Sequence, residues 1–162
     1  MNLKIQKIIR RMFGISDAVI AFHNSFEYSK KKGYNEMYIG VDLHKTVLKP
    51  DYNKMFVSEF YDHAERVLKA MSERDDMTLI MYTCSHPNEI DKYLELFKSR
   101  GIYFSDVNEN TDPSISGTDY GDFTGKPYMN VLLEDKAGFD AEEDWLKIER
   151  VLNKYPTNYL KK

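Results

Sequence analysis

Three short apolar stretches of the sequence are followed by side chains that can bind a cation or an anion. Asp42 follows MYIGV, Thr83 follows LIMY, and Glu134 and Asp135 follow VLL, with Lys126 a few residues before this last stretch. Carboxylate oxygens are the ligands that Mg²⁺ prefers, whereas a hydroxyl and an ammonium group can hold phosphate oxygens. These residue types predict a site for a divalent cation and a phosphorylated ligand, with a carboxylate available to attack phosphorus.

The apolar stretches are typical of buried strands, and helical periodicity separates them. Strands are predicted at residues 37–42, 77–83, 102–107 and 131–134. Helices are predicted from Ser16 to Gly33, over 54–73, from Pro87 to Gly101 and over 141–153. This alternation predicts right-handed βαβ units in a three-layer, Rossmann-like α/β fold with a parallel sheet. Ligands of such sheets bind outside the carboxyl ends of the strands, so the candidate residues should converge there.

The first 36 residues differ from the rest of the chain in charge. They contain seven Lys or Arg and three Asp or Glu, whereas the remaining residues carry a net charge of −7. An amphipathic helix is predicted over residues 3–13, with an apolar stripe that needs a surface to cover it. We interpret residues 1–36 as a helical N-terminal extension of the domain at 37–162, and as a candidate oligomer contact. The simpler interpretation of the basic residues is a solvated helix face.

Length and composition exclude several classes of protein. A chain of 162 residues fits one domain with its own core. The single cysteine, Cys84, excludes an intrachain disulfide and favours a reducing, cytoplasmic location. No uninterrupted apolar run of about 18 residues is present, so a membrane is not an expected partner. The acidic body disfavours tight, non-specific binding to nucleic acid, although the end of a polynucleotide stays open as a substrate.

The candidate residues, in their order and spacing, resemble the four motifs of the haloacid dehalogenase-like (HAD-like) phosphohydrolases. The resemblance lies in VDLHKTV (41–47), LIMYT (79–83) and GKPYMNVLLEDKAGF (125–139), and it covers about residues 37–153. It implies Mg²⁺-dependent hydrolysis of a phosphate monoester through an aspartyl-phosphate. The Glu134-Asp135 motif most resembles that of compact nucleotidase-like members, so a small nucleotide is the expected substrate.

The resemblance also implies a role for each candidate residue. Asp42 would be the nucleophile and a metal ligand, and Thr83 would bind the phosphoryl group. Lys126 would neutralise charge on the nucleophile and the phosphate. Glu134 and Asp135 would hold the metal, directly or through water.

His44 departs from the family pattern, in which a general-acid aspartate usually stands two residues after the nucleophile. A histidine can exchange protons near neutral pH, so His44 is a candidate catalytic residue. Its backbone carbonyl would be a further metal ligand, whatever its side chain does. The alternative is a catalytically degenerate HAD-like protein that binds a phosphorylated ligand or serves as an interaction module. Because no cap domain is inserted, we expect an open site unless the N-terminal helices or the loop at 108–125 cover it.

Other interpretations of these residues predict no phosphate chemistry. Asp42 could be a turn acid, and Thr83 alone is a common residue at a strand end. His44, Cys84 and His86 together could indicate a transition-metal site, but their spacing matches no established zinc pattern. Cys84 is better explained as an inert thiol, because no neighbouring residue obviously lowers its pKa.

Overall fold

The computed structural model describes residues 14–112 and 121–161. Within these ranges, helices pack against a parallel sheet. The strands are β1 (Met37–Val41), β2 (Met77–Met81), β3 (Asp106–Val107) and β4 (Val131–Leu133). The helices are α1 (Asp17–Lys32), α2 (Ala64–Ser72), α3 (Pro87–Ser99) and α4 (Asp144–Lys154), with a 3₁₀ turn at Asp135–Ala137. The sheet order is β3-β2-β1-β4, and all neighbours are parallel. The predicted α/β, Rossmann-like fold class is confirmed.

The central strand β1 fixes where the carboxyl ends of the strands meet. All five of its residues are buried, because strands pair on both sides and other elements cover both faces. Val41, its last residue, pairs with Met81 of β2 and with Leu133 of β4. The residues that follow these three strands therefore lie side by side at one edge of the sheet.

Helix α1 packs against the sheet and against α4, and its ends follow the sequence signals. The Ser16 side chain accepts a hydrogen bond from the Val19 N–H at 3.2 Å, which caps the first turn. Gly33 ends the helix in the left-handed conformation, with φ of 72°. The helix predicted over residues 3–13 lies outside the described residues. No helix in the described ranges is long and apolar enough to cross a membrane.

The helix predicted over residues 54–73 is wrong for its first half, since α2 begins only at Ala64. The preceding residues form an excursion closed by backbone pairing, in which the Lys49 N–H donates to the Glu59 carbonyl at 2.8 Å. The helix-like spacing of Phe56 and Phe60 has another cause. Phe56 stacks on Tyr93 of α3 and Phe60 contacts Phe97 edge-on, so both rings are used in contacts with another helix.

The strand predicted over residues 102–107 is confirmed only for Asp106–Val107. Ile102 cannot join the ladder, because its N–H donates to the Phe97 carbonyl at the end of α3. Its apolar side chain is buried in the hydrophobic core instead. Burial without strand pairing gives the same apolar sequence signal as a strand, which explains the overlong prediction.

A buried ion pair attaches the C-terminal segment to the sheet. Arg74 and Asp76, whose side chains are 3% and 0% exposed, form two hydrogen bonds at 2.8 and 3.0 Å. The guanidinium group also donates to the carbonyls of Tyr155 and Pro156, and the Leu160 N–H donates to Asp76. Four of the five guanidinium N–H donors and both Asp76 oxygens are thereby hydrogen-bonded, which is what makes a buried charge tolerable.

Candidate active site

Asp42 extends β1 by one residue at the carboxyl edge of the sheet. Its N–H donates to the Leu133 carbonyl at 3.0 Å, so the residue is held next to the end of β4. The chain then turns sharply, with the Lys45 N–H donating to the Leu48 carbonyl at 2.9 Å. This turn prevents the strand from continuing and leaves the Asp42 carboxylate at the edge, half-buried.

Glu134 and Asp135 lie beside Asp42 and complete a cluster of carboxylates. One oxygen from each of the three residues lies within 4.8 Å of the other two. Oxygen ligands at about 2.1 Å from Mg²⁺ are themselves about 3–4 Å apart, so a small closure of the cluster would fit this ion. Hard carboxylate donors also match the ligand chemistry of Mg²⁺, so these residues fit the expected metal.

Burial and the negative charges of the neighbouring carboxylates both raise the pKa of Asp42. The pKa of the Asp42 carboxyl is raised to about 6, chiefly by burial and to a smaller extent by the charges of Glu134 and Asp135. Hydrogen bonds from the Leu43 backbone and the Thr46 hydroxyl oppose the rise. A cation bound among the three groups would reverse this penalty, because it stabilises the ionised form.

Thr46 connects the nucleophile candidate to the acidic pair on the next strand. Its fully buried hydroxyl donates to Asp42 Oδ2 at 3.3 Å and accepts from the Asp135 N–H at 3.2 Å. Its carbonyl accepts a hydrogen bond from Trp145 Nε1 at 2.8 Å, which anchors the turn to α4. One side chain therefore sets the separation of Asp42 and Asp135.

Glu134 has a structural role as well as its place in the cluster. Its Oε2 accepts a hydrogen bond from the Ala137 N–H at 2.7 Å and caps the 3₁₀ turn. The other oxygen is 4.0 Å from the exposed Lys136 Nζ. The cap fixes the side chain, so Glu134 holds its position in the cluster without a metal.

Thr83 lies at the end of β2, with its hydroxyl already in a local network. Its Oγ1 donates to Ser85 Oγ at 3.0 Å and accepts from the Ser85 N–H at 3.2 Å. Thr83 is 8% exposed, so only its edge reaches the cleft. Ser85 adds a second hydroxyl to this strand end, although it is not among the residues that line the cleft.

An open cleft of about 850 Å³ brings most of the candidate residues together. Asp42, Thr83, Lys126 and Glu134 all line it. Asp135 lines a neighbouring depression of about 380 Å³, beside Lys45 and Tyr61, and meets the others only at the carboxylate cluster. Apolar side chains form another part of the cleft wall, namely Pro127, Met129 and Leu132.

His44 is the candidate that the structure separates from the others. Its Nε2 is hydrogen-bonded to Tyr93 Oη at 2.9 Å, and the two rings meet edge-on at 5.4 Å. Burial lowers the pKa of His44, and the charge of Glu89 partly opposes this effect. The imidazole is not among the residues that line the cleft. As oriented, it would have to turn away from Tyr93 to reach a leaving group.

Three further residues of this edge were not among the site residues predicted from the sequence: Thr46, Ser85 and Asn108. Thr46 lies within the motif VDLHKTV, and Ser85 follows Thr83 by two residues. Asn108 lines the cleft directly after β3. The rule that ligands bind at the carboxyl ends of parallel strands points to Asn108 once the end of β3 is known.

Comparison with known proteins establishes a shared fold. No protein-family model matches the chain, and no curated protein is significantly similar to it. A solved structure, described as that of a conserved protein from Bacteroides thetaiotaomicron, is similar with 22% identity and a TM-score of 0.55. The match covers 75% of this chain and 94% of that one. At this identity the similarity supports the parallel α/β fold, and the HAD-like resemblance stays a prediction.

Proposed function

We propose that the protein is a Mg²⁺-dependent phosphatase that hydrolyses a phosphate monoester through an aspartyl-phosphate on Asp42. The observation that carries this proposal is the cluster of Asp42, Glu134 and Asp135, with mutual oxygen distances within 4.8 Å. Asp42 and Glu134 of this cluster share one cleft with the Thr83 hydroxyl and the Lys126 ammonium group, and Asp135 lines the neighbouring depression. A cation-binding group, an anion-binding group and a nucleophile are the parts that phosphoryl transfer needs.

Each residue of the cleft has its own role in the proposed reaction. Mg²⁺, held by the three carboxylates, would neutralise charge on the phosphate when it is bound. Thr83 and Lys126 bind the remaining phosphate oxygens, and an Asp42 oxygen attacks phosphorus while the bond to the leaving oxygen breaks. The leaving oxygen takes a proton from solvent water in the open cleft, and a second water then attacks the phosphorus of the acyl phosphate and releases a proton to solvent. Inorganic phosphate leaves and the Asp42 carboxylate is restored.

The shape of the cleft supports an organic substrate larger than phosphate itself. Its volume of about 850 Å³ exceeds what a phosphate group fills, and Met129, Leu132 and Pro127 add an apolar wall. Tyr82, which is 39% exposed, lines the same cleft and offers an aromatic face. A planar, partly apolar group attached to a phosphate fits this combination, which supports a nucleotide-like substrate.

A second candidate function rests on the orientation of His44. Because its imidazole is bonded to Tyr93, the position that normally supplies the general acid does not face the cleft. Loss of general-acid catalysis costs about 10²–10⁴-fold in rate. A protein with this defect and an intact anion site would act as a phospho-ligand-binding module.

Hydrolysis of an aryl phosphate with and without Mg²⁺ tests the proposal. Wild-type protein should release phosphate with Mg²⁺ and lose this activity in EDTA. Asp42→Asn should abolish turnover, whereas Asp91→Asn, on the exposed surface of α3, should leave it unchanged. Full activity in Asp42→Asn would refute the aspartyl-phosphate mechanism. An inert wild-type protein that still binds Mg²⁺ and inorganic phosphate would favour the binding module.

A further inference from the structure

The backbone pairing of β3 with β2 ends at the carboxyl edge of the sheet, just before Thr83. β3 pairs with β2 through Val107 opposite Met81, and Asn108 then adopts a left-handed φ of 57°. The Asn108 N–H still donates to the Met81 carbonyl at 2.9 Å. Beyond this bond the backbone turns out of the sheet, so it does not continue the ladder alongside Thr83.

The Asn108 side chain takes the place of the missing ladder. Its Oδ1 accepts a hydrogen bond from the Thr83 N–H at 2.8 Å, and its Nδ2 donates to the Thr83 carbonyl at 2.7 Å. One amide group therefore satisfies both backbone polar groups of a residue that is 8% exposed. An unpaired N–H or carbonyl at such a site would be unfavourable, so the two bonds hold the Thr83 backbone in one position.

We propose that Asn108 is a positioning residue for phosphate binding, which acts by fixing the backbone of Thr83 at the wall of the cleft. This inference rests on the proposed function, in which the Thr83 hydroxyl binds the phosphoryl group. The direction of a threonine hydroxyl is set by its backbone, because its χ1 angle has few allowed values. After Thr83 the chain runs without regular structure to α3. The two hydrogen bonds between the Asn108 amide and the Thr83 backbone, which we call the bracket, therefore fix the last residue before that loop.

Asparagine suits this position for two separate reasons. It tolerates the left-handed backbone better than most residues. Its amide also carries one donor and one acceptor, which match the carbonyl and the N–H of a peptide unit. Glycine satisfies the backbone requirement alone, so Asn108→Gly removes the bracket without adding backbone strain. The bond from the residue 108 N–H to the Met81 carbonyl remains possible in this variant.

A double-mutant cycle on full-length protein tests the proposal, with inorganic phosphate and Mg²⁺ titrated by calorimetry. Asn108→Gly should weaken phosphate binding about three- to tenfold, the equivalent of losing one or two hydrogen bonds. Combined with Thr83→Ala, it should add less than about twofold, because both changes remove the same contact. Hydrogen exchange of the residue 83 amide should accelerate in Asn108→Gly, while the amides of β1 keep their protection.

Asn130→Ala is the matched control. Asn130 also accepts a hydrogen bond from a backbone N–H, that of Tyr38 at 2.7 Å, but at the opposite end of β1. Its removal should leave phosphate affinity and the exchange at Thr83 unchanged. If the losses of phosphate affinity in Asn108→Gly and Thr83→Ala multiply in the double variant, the positioning role is overturned. Unaltered hydrogen exchange of the residue 83 amide in Asn108→Gly would also overturn it.

The remaining outcomes are also informative. Unfolding of Asn108→Gly under conditions in which Asn130→Ala folds would show a general structural role and would also overturn the proposal. A wild-type protein that binds no phosphate would refute the proposed function, and the phosphate-related purpose of the bracket with it. Accelerated exchange at Thr83 would still separate that result from a failure of the bracket itself.

Discussion

Replacing Asp42 with asparagine should stabilise the metal-free protein at neutral pH. The pKa of Asp42 is raised from 3.8 to about 6, mainly by burial, so the folded protein favours the protonated carboxyl. The unfolded chain ionises this group more readily, and the free energy of unfolding falls as the pH rises from about 4 to above 6. The asparagine side chain does not ionise, so this penalty is absent in the variant.

The size of the effect follows from the same pKa difference. A change from 3.8 to about 6 corresponds to at most about 3 kcal/mol at 1.36 kcal/mol per pH unit. Asp42 is only half-buried, and solvent screening reduces this value, so we expect about 1–2 kcal/mol. For a chain of this length, that gain corresponds to a rise in Tm of roughly 2–8 °C at pH 7.

Thermal unfolding in EDTA between pH 4 and pH 8 measures this prediction. The Tm difference between Asp42→Asn and wild type should be close to zero at pH 4 and should reach its full value by pH 7. Asp51→Asn is a control of opposite sign, because the Lys54 ammonium and the Asn53 backbone lower the pKa of Asp51. A difference that is negative or independent of pH would refute the argument from burial and repulsion.

Addition of Mg²⁺ should give wild-type protein a higher Tm than Asp42→Asn. A ligand that binds only the folded state stabilises it by about 2.7 kcal/mol at 100 times its Kd. Wild-type protein should therefore gain Tm in millimolar Mg²⁺, and Asp42→Asn or Asp135→Asn should gain less. A wild-type Tm that does not change in millimolar Mg²⁺ would contradict a metal site at the carboxylate cluster.

Three further substitutions test the supporting structure. Thr46→Val should reduce kcat/KM for an aryl phosphate roughly tenfold, because Asp42 loses a hydrogen bond, and Thr46→Ser should retain most of the activity. His44→Asp should hold or raise kcat relative to wild type, and a gain from an inert wild type would identify a degenerate enzyme. Asp76→Asn should lower the free energy of unfolding by about 3 kcal/mol or more in urea titration, since it leaves the buried Arg74 charge unpaired; a loss below 1 kcal/mol, smaller than a typical hydrogen bond, would contradict this.

The sequence predicted the strands and caps whose signals are local. The run MYIGV is apolar throughout because β1 is buried on both faces, and this pattern is visible in five consecutive residues. Ser16 and Gly33 bound α1 through contacts with residues at most four positions away. The positions after β1, β2 and β4 were therefore identified correctly as neighbours, once a parallel sheet was assumed.

Where a local pattern had two physical causes, the sequence did not distinguish them. Phe56 and Phe60 recur at helical spacing, but they lie in an irregular excursion and are partly buried by contact with α3. Ile102 is apolar because it is buried, although its N–H is bonded to the end of α3. Burial determines the residue type in both cases, and the backbone conformation is decided by packing.

The sequence by itself determined the α/β class and the set of acids, hydroxyls and amines at the ends of the strands. Only the tertiary structure decided how these groups are held and oriented. Thr46 meets Asp135 across 89 residues of chain, Asn108 meets Thr83 across 25, and the His44 ring is directed to Tyr93 across 49. Contacts at such separations depend on how strands and loops pack in three dimensions, and no periodicity of neighbouring residues encodes them.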